Sequence, residues 1–69
     1  MSTTTYDPEA DAAYVRLAPA GVRVADTREV EPGIVLDLDA EGRLVGIEVL
    51  NVRSRVAAGA AGLVQLPAA

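Results

Sequence analysis

Neither cysteine nor histidine occurs in the 69-residue sequence. The first absence excludes disulfides and thiolate metal sites. The second removes the commonest transition-metal ligand and the usual general base at neutral pH. Ser2 and Ser54 then have no histidine to activate them, so serine-based acyl transfer drops out. Phe and Trp are missing as well, leaving Tyr6 and Tyr14 as the only aromatics. The core must come from Val, Ile, Leu and Ala. Lysine is absent, and all six basic residues are arginine. With the many alanines this reads as GC-rich coding and says nothing of function. No long apolar run exists. The most apolar stretch, Val56 to Leu66, contains Gln65 and two glycines, whereas a membrane helix needs about 20 residues. "MSTTTYDPEAD" has neither the basic nor the apolar region of a signal peptide, so the expectation is a cytoplasmic chain.

A chain of 69 residues makes one domain, residues 1–69, near the lower limit for independent folding. Ordering a residue costs about 1.5 kcal/mol and apolar burial returns about 25 cal/mol per Å², which leaves so small a chain close to balance. Disulfides being excluded, self-association is the expected supplement, and a 51% hydrophobic composition agrees. The net charge of −4 disfavours nucleic acid, whose phosphates need a positive surface. It suits a basic protein partner.

Thr3 to Tyr6 is β-branched and aromatic, a first strand. Asp7-Pro8-Glu9-Ala10 has turn chemistry: aspartate favours the first position and proline pre-sets φ at the second. Ala12 to Leu17 resumes as a strand, with Ala13, Val15 and Leu17 on one side and Tyr14 and Arg16 on the other. Tyr6 and Tyr14 flank the turn and are expected to be cross-strand neighbours. Pro19-Ala20-Gly21 breaks the chain. Val22 to Val30 reads as a strand with an irregularity near Asp26, ended by Pro32-Gly33.

The strongest signal runs from Ile34 to Val52. Ile34, Leu36 and Leu38 alternate with Val35 and Asp37, and Val45, Ile47 and Val49 alternate with Gly46 and Glu48. Asp39-Ala40-Glu41-Gly42 lies between them as a hairpin loop, with glycine where a left-handed residue is wanted. A three-residue loop with a bulge sets Leu36 opposite Gly46. A four-residue loop sets Leu36 opposite Val45 and Ile34 opposite Ile47, and gathers all six large aliphatics on one face. The four-residue loop is therefore expected. The other face carries Val35, Leu44, Leu50 and Val52 beside Asp37, Gly46 and Glu48, and those four residues are the expected self-association surface. Ser54 is placed to cap a short helix through Ala58, ended by Gly59, and Gly62 to Leu66 reads as a weak strand or tail.

Two acidic patterns invite a metal. Asp7-x-Glu9-x-Asp11 offers alternate carboxylates, but a calcium loop also needs a glycine at its sixth place and a glutamate at its twelfth, where this chain has Ala12 and Ala18. Asp37-x-Asp39-x-Glu41-Gly42-x5-Glu48 meets that spacing, with Leu44 as the apolar eighth residue. Against it, Glu41 is one methylene too long. The incoming flank is a strand, and the exit alternates with period two, so Glu48 should sit down a strand away from the loop. The hairpin reading is favoured, and no metal or cofactor is expected. Asp37 and Glu48 share a face on adjacent strands; if buried together, one would have a raised pKa. The simpler expectation is pairing with Arg16 or Arg53.

The order "YDPEADAAYVRL" then "DTREVEPGIVLDLDAEGRLVGIEVL" resembles the prokaryotic domain-of-unknown-function family 2283 over residues 5–52. The Tyr-Asp-x-Glu-x-Asp start and the Gly46-Ile47-Glu48 that follows the Asp37 to Gly42 hairpin carry the resemblance. It implies a small β-rich bacterial domain with no assigned activity, and it brings no catalytic residues. Residues 53–69 look like an extension. The tyrosine-led strand also resembles antitoxins of the HicB type, with Ala13 where those carry glycine and without their following helix. The expectation is a mainly β (β-rich α+β) domain. It would be an antiparallel meander of four to five strands with a short C-terminal helix or tail, forming a homodimer. It would be a non-catalytic interaction or structural module, not an enzyme. The alternatives are an antitoxin-like partner of a basic protein, or carboxylate binding of calcium through Asp37, Asp39, Glu41 and Glu48.

Overall fold

The structure, a computed structural model, describes residues 3–57. Five strands form one antiparallel sheet: β1 (Thr3–Asp7), β2 (Ala12–Arg16), β3 (Asp26–Glu31), β4 (Ile34–Leu38) and β5 (Leu44–Val49). A four-residue helix, α1 (Val52–Arg55), follows. The spatial order is β1-β2-β5-β4-β3. That differs from a plain meander, in which β3 would lie beside β2. Instead β3, β4 and β5 form consecutive hairpins and β5 returns to β2, a Greek-key arrangement. The segment from Leu17 to Ala25 carries the chain to the far edge. Arg16 holds it there, its guanidinium donating to the carbonyls of Ala18 (3.1 Å), Pro19 (2.9 Å) and Val22 (2.9 Å).

Turn chemistry sets each hairpin. The Asp7 carboxylate accepts from the backbone N–H groups of Glu9 (3.0 Å) and Ala10 (3.3 Å), which fixes the turn after β1. Pro32 and Gly33 (φ 86) occupy the central positions of a two-residue turn that demands a positive φ at its second place. The β4–β5 loop is the three-residue form: Asp39 N–H donates to the Arg43 carbonyl at 2.8 Å, and Gly42 takes φ 81. The expected four-residue loop is therefore corrected. The reason is a bulge that the alternation pattern hides. The register passes from Leu38 opposite Leu44 to Asp37 opposite Gly46, so Val45 is an extra residue. Beyond it Leu36 lies opposite Ile47 and Ile34 opposite Val49. The bulge reconciles a short loop with a shared aliphatic face.

One face of the sheet is apolar. Its first row runs Tyr6, Ala13, Val49, Ile34, and its second runs Thr4, Val15, Ile47, Leu36. Asn51, in the left-handed region at φ 54, swings the chain out of β5 so that α1 lies against the first row. Val52, 1% exposed, packs there with Tyr6, Ala13 and Val49. Val15, Ile47 and Leu36 in the second row are half-buried. The opposite face carries Thr3, Thr5, Tyr14, Arg16, Glu48, Gly46, Val35, Asp37 and Thr27, by the same registers.

Tyr6 pairs with Ala13, and Tyr14 with Thr5. The tyrosines thus point to opposite faces and do not stack, because the intervening turn puts them out of phase by one residue. The helix spans Val52–Arg55 and is followed by extended Val56. It begins earlier than expected, and Ser54 lies inside it, its hydroxyl donating to the Asn51 carbonyl at 3.0 Å. The expected Gly59 cap and Gly62 to Leu66 segment lie outside the described residues.

Candidate functional site

The polar face holds one ordered array. Tyr14 Oη donates to Asp37 Oδ2 at 2.9 Å, and Thr27 Oγ1 donates to Asp37 Oδ1 at 3.2 Å. β2 supplies the tyrosine, β4 the aspartate and β3 the threonine, while β5 lies between β2 and β4. Gly46 makes the span possible. A Cβ built there would overlap Tyr14 Oη and Cζ, so only glycine lets the ring lie across β5. In return the ring buries Gly46. Burial, and next the hydrogen bond to Asp37, push the Tyr14 pKa above its ordinary value. At neutral pH the phenol stays protonated and Asp37 accepts on both oxygens. Chemically this is a brace across the sheet, with its donors already spent.

A second cluster ties the two ends of the described chain together. Asp11 sits at φ 52. Its carboxylate accepts from Tyr6 Oη at 2.8 Å and from the Arg53 N–H at 3.2 Å, and its carbonyl accepts from the Val52 N–H at 3.0 Å. It thereby satisfies N–H groups at the start of α1 that the helix itself leaves open. Arg53 reaches back to the Pro8 carbonyl at 3.4 Å. Arg55 donates to the Pro32 and Leu50 carbonyls and covers Gly33. The hydrogen bond to Asp11 raises the pKa of Tyr6. The carboxylates of Asp7 and Asp11 in the opening acidic triplet are engaged in turn and cap contacts.

The hairpin carboxylates go separate ways. Asp39 Oδ1 accepts from the N–H groups of Glu41 (2.9 Å) and Arg43 (2.8 Å), and Oδ2 from Arg43 Nε (3.1 Å). The Arg43 N–H holds its pKa below the usual carboxylate value. Glu41 pairs with Arg43 at 2.7 Å. Glu48 lies opposite Val35 and Tyr14, down the strand from the loop. Asp37 and Glu48 do share a face on the diagonal, but neither forms an ion pair with Arg16 or Arg53. Those two donate to backbone carbonyls instead. Among the described residues no three carboxylates converge as metal ligands would.

The four residues expected to form an association surface are dispersed. Val35 lies half-buried on the polar face opposite Glu48, and Leu44 opens β5 at 43% exposure. Leu50 follows the strand, its N–H donating to the Gly33 carbonyl at 2.8 Å. Val52 is inside the chain's own core on the apolar side. There are two causes: the bulge at Val45 sets Leu44 opposite Leu38, and the left-handed turn at Asn51 takes Val52 out of the strand alternation. The Tyr14–Gly46–Asp37 brace went unread. Its signal was a glycine in the middle of an aliphatic strand, which marks a close approach.

The fold and its two polar clusters define a small open-sheet β-domain whose ordered side chains brace strands and cap a helix. The family described as "Protein of unknown function (DUF2283)" matches residues 3–53. The chain belongs to that family. No curated protein and no solved structure matches it. Among the described residues no helix is long and apolar enough to cross a membrane.

Proposed function

We propose that the chain is a non-catalytic interaction module that associates with a second copy of itself through the apolar face of its sheet. The observation that supports this is the second row of that face. Val15, Ile47 and Leu36 stand side by side on β2, β5 and β4, only half-buried, while α1 packs against the first row. A sheet buries an apolar face against a second layer. With no disulfide to supplement a chain of 69 residues, a second copy is the economical source of that layer. The contact surface thereby moves from Val35, Leu44, Leu50 and Val52 to Val15, Leu36 and Ile47.

Light scattering of the native protein tests this. A mass of at least twice the 7.1 kDa chain is expected. Ile47→Asp should lower that mass while circular dichroism retains the strand signal. A chain ending at Ala57 separates the alternatives. If the full chain is a folded monomer and only the shortened one associates, residues 58–69 serve as the cover and the proposal fails.

A further inference from the structure

Among the described residues the sheet has two free edges, β1 and β3, and they are built differently. Exposed sheet edges template pairing with other strands, and proteins block this with charge, bulges and irregular twist. β3 carries such blocks. Four of its six residues, Asp26, Arg28, Glu29 and Glu31, are charged, all six are exposed, and its register shifts between Glu29 and Glu31. β1 carries almost none. It reads Thr3-Thr4-Thr5-Tyr6-Asp7, uncharged until its last residue. Its register on β2 runs from Thr3 opposite Arg16 to Asp7 opposite Ala12 without interruption. It is regular in its pairing and rich in β-branched threonine, which suits a pleated surface.

We infer that β1 is an association edge, and that its occupant is the β1 strand of a second copy, added antiparallel about a two-fold axis. In a two-fold contact the same segment meets itself, so a usable edge must be self-complementary. With the axis at Thr4, Thr4 meets Thr4 and Thr3 meets Thr5, without like charges. The same operation about the centre of β3 brings together two segments of three carboxylates and one arginine each and sets Asp26 opposite Glu31, in a chain already at net charge −4. Charge thus selects β1 over β3. The pairing joins two five-stranded sheets into one of ten strands and sets the two apolar faces side by side. It is separate from the face contact proposed above and compatible with it: two such paired sheets stacked face to face contain four chains.

The cysteine-free sequence supplies a clean probe. Single variants Thr3→Cys, Thr4→Cys, Thr5→Cys, Arg28→Cys and Ile47→Cys are oxidised mildly in the full chain and read on non-reducing gels. At least one β1 variant should form the covalent pair about tenfold faster than Arg28→Cys, because paired edges raise the local thiol concentration far above that of random collision. Arg28→Cys coupling as fast as every β1 variant would overturn the inference. So would β1 variants that all stay single. The Ile47→Cys variant reads the face contact independently. Coupling in β1 without coupling at residue 47 leaves the edge standing and removes the face.

Discussion

Replacing Gly46 with alanine tests the brace directly. The added Cβ would occupy the place of the Tyr14 phenol, so the ring must swing off β5 and its hydroxyl must leave Asp37. A hydrogen bond to a charged group contributes about 1.5–3 kcal/mol when buried. This one is only partly buried, so about 1.5 kcal/mol is the appropriate loss, with resolvation of Asp37 keeping it at that end of the range. Alanine in a strand interior recovers about 0.5 kcal/mol over glycine through lower backbone entropy. The net expectation is destabilisation by about 1 kcal/mol, which for a small domain moves the urea midpoint by roughly 1 M. Tyr14→Phe removes the same bond but leaves the ring in place, and should cost about 1.5 kcal/mol. In the double variant the bond has only once to be lost. It should be scarcely less stable than Gly46→Ala alone, giving a coupling of about 1.5 kcal/mol. Urea unfolding followed by circular dichroism measures all three. Strictly additive losses, or a Gly46→Ala protein as stable as its parent, would refute the reasoning.

Two further outcomes follow from the other cluster and from the tyrosines. Asp11→Ala should cost about 2 kcal/mol, combining a lost cap of about 1 kcal/mol with the greater strain of alanine, compared with aspartate or asparagine, at φ 52. Asp11→Asn, which tolerates that conformation, should cost visibly less, and equal losses in thermal melts would point away from the backbone. The folded pKa values of Tyr6 and Tyr14 are both raised, so the folded state holds these protons longer than the unfolded chain does. Their contribution is therefore complete below the ordinary phenol pKa of about 10 and is lost as pH climbs above it. Denaturation scans should show stability falling in that alkaline range, less steeply in Tyr14→Phe, while tyrosinate absorbance should develop later in folded protein than in urea.

Much of the sheet was legible in residue chemistry. The turns at Asp7, Pro32-Gly33 and Gly42 announce themselves because each position accepts few residue types, and the alternation from Ile34 to Val49 fixes two strands and their shared face. The loop length was not legible. Alternation constrains which side chains share a face, and a bulge at Val45 satisfies that constraint with a shorter loop. The opposite orientation of Tyr6 and Tyr14 depends on one residue of register, which composition does not encode. Placing β5 beside β2 is a tertiary choice, and so was invisible to local pattern. Asp37 and Glu48 were correctly put on one diagonal, but their neighbours were misread. The partner that matters, Tyr14, is brought in by a glycine, and an absent side chain leaves no periodic trace. The expected association surface was drawn on unbroken alternation, which the bulge at Val45 interrupts beside Leu44 and the left-handed Asn51 interrupts before Val52.

The knot of bonds at Asp11 also gives the domain a mechanical character. The turn after the first strand and the entry to α1 are fastened to one side chain, 42 positions apart along the chain from Arg53. A tug on the chain beyond α1 is therefore met first by Arg55's hold on the Leu50 and Pro32 carbonyls and then at the opening hairpin. Pulled from its ends, the protein should yield by releasing that clasp before any inner strand slides.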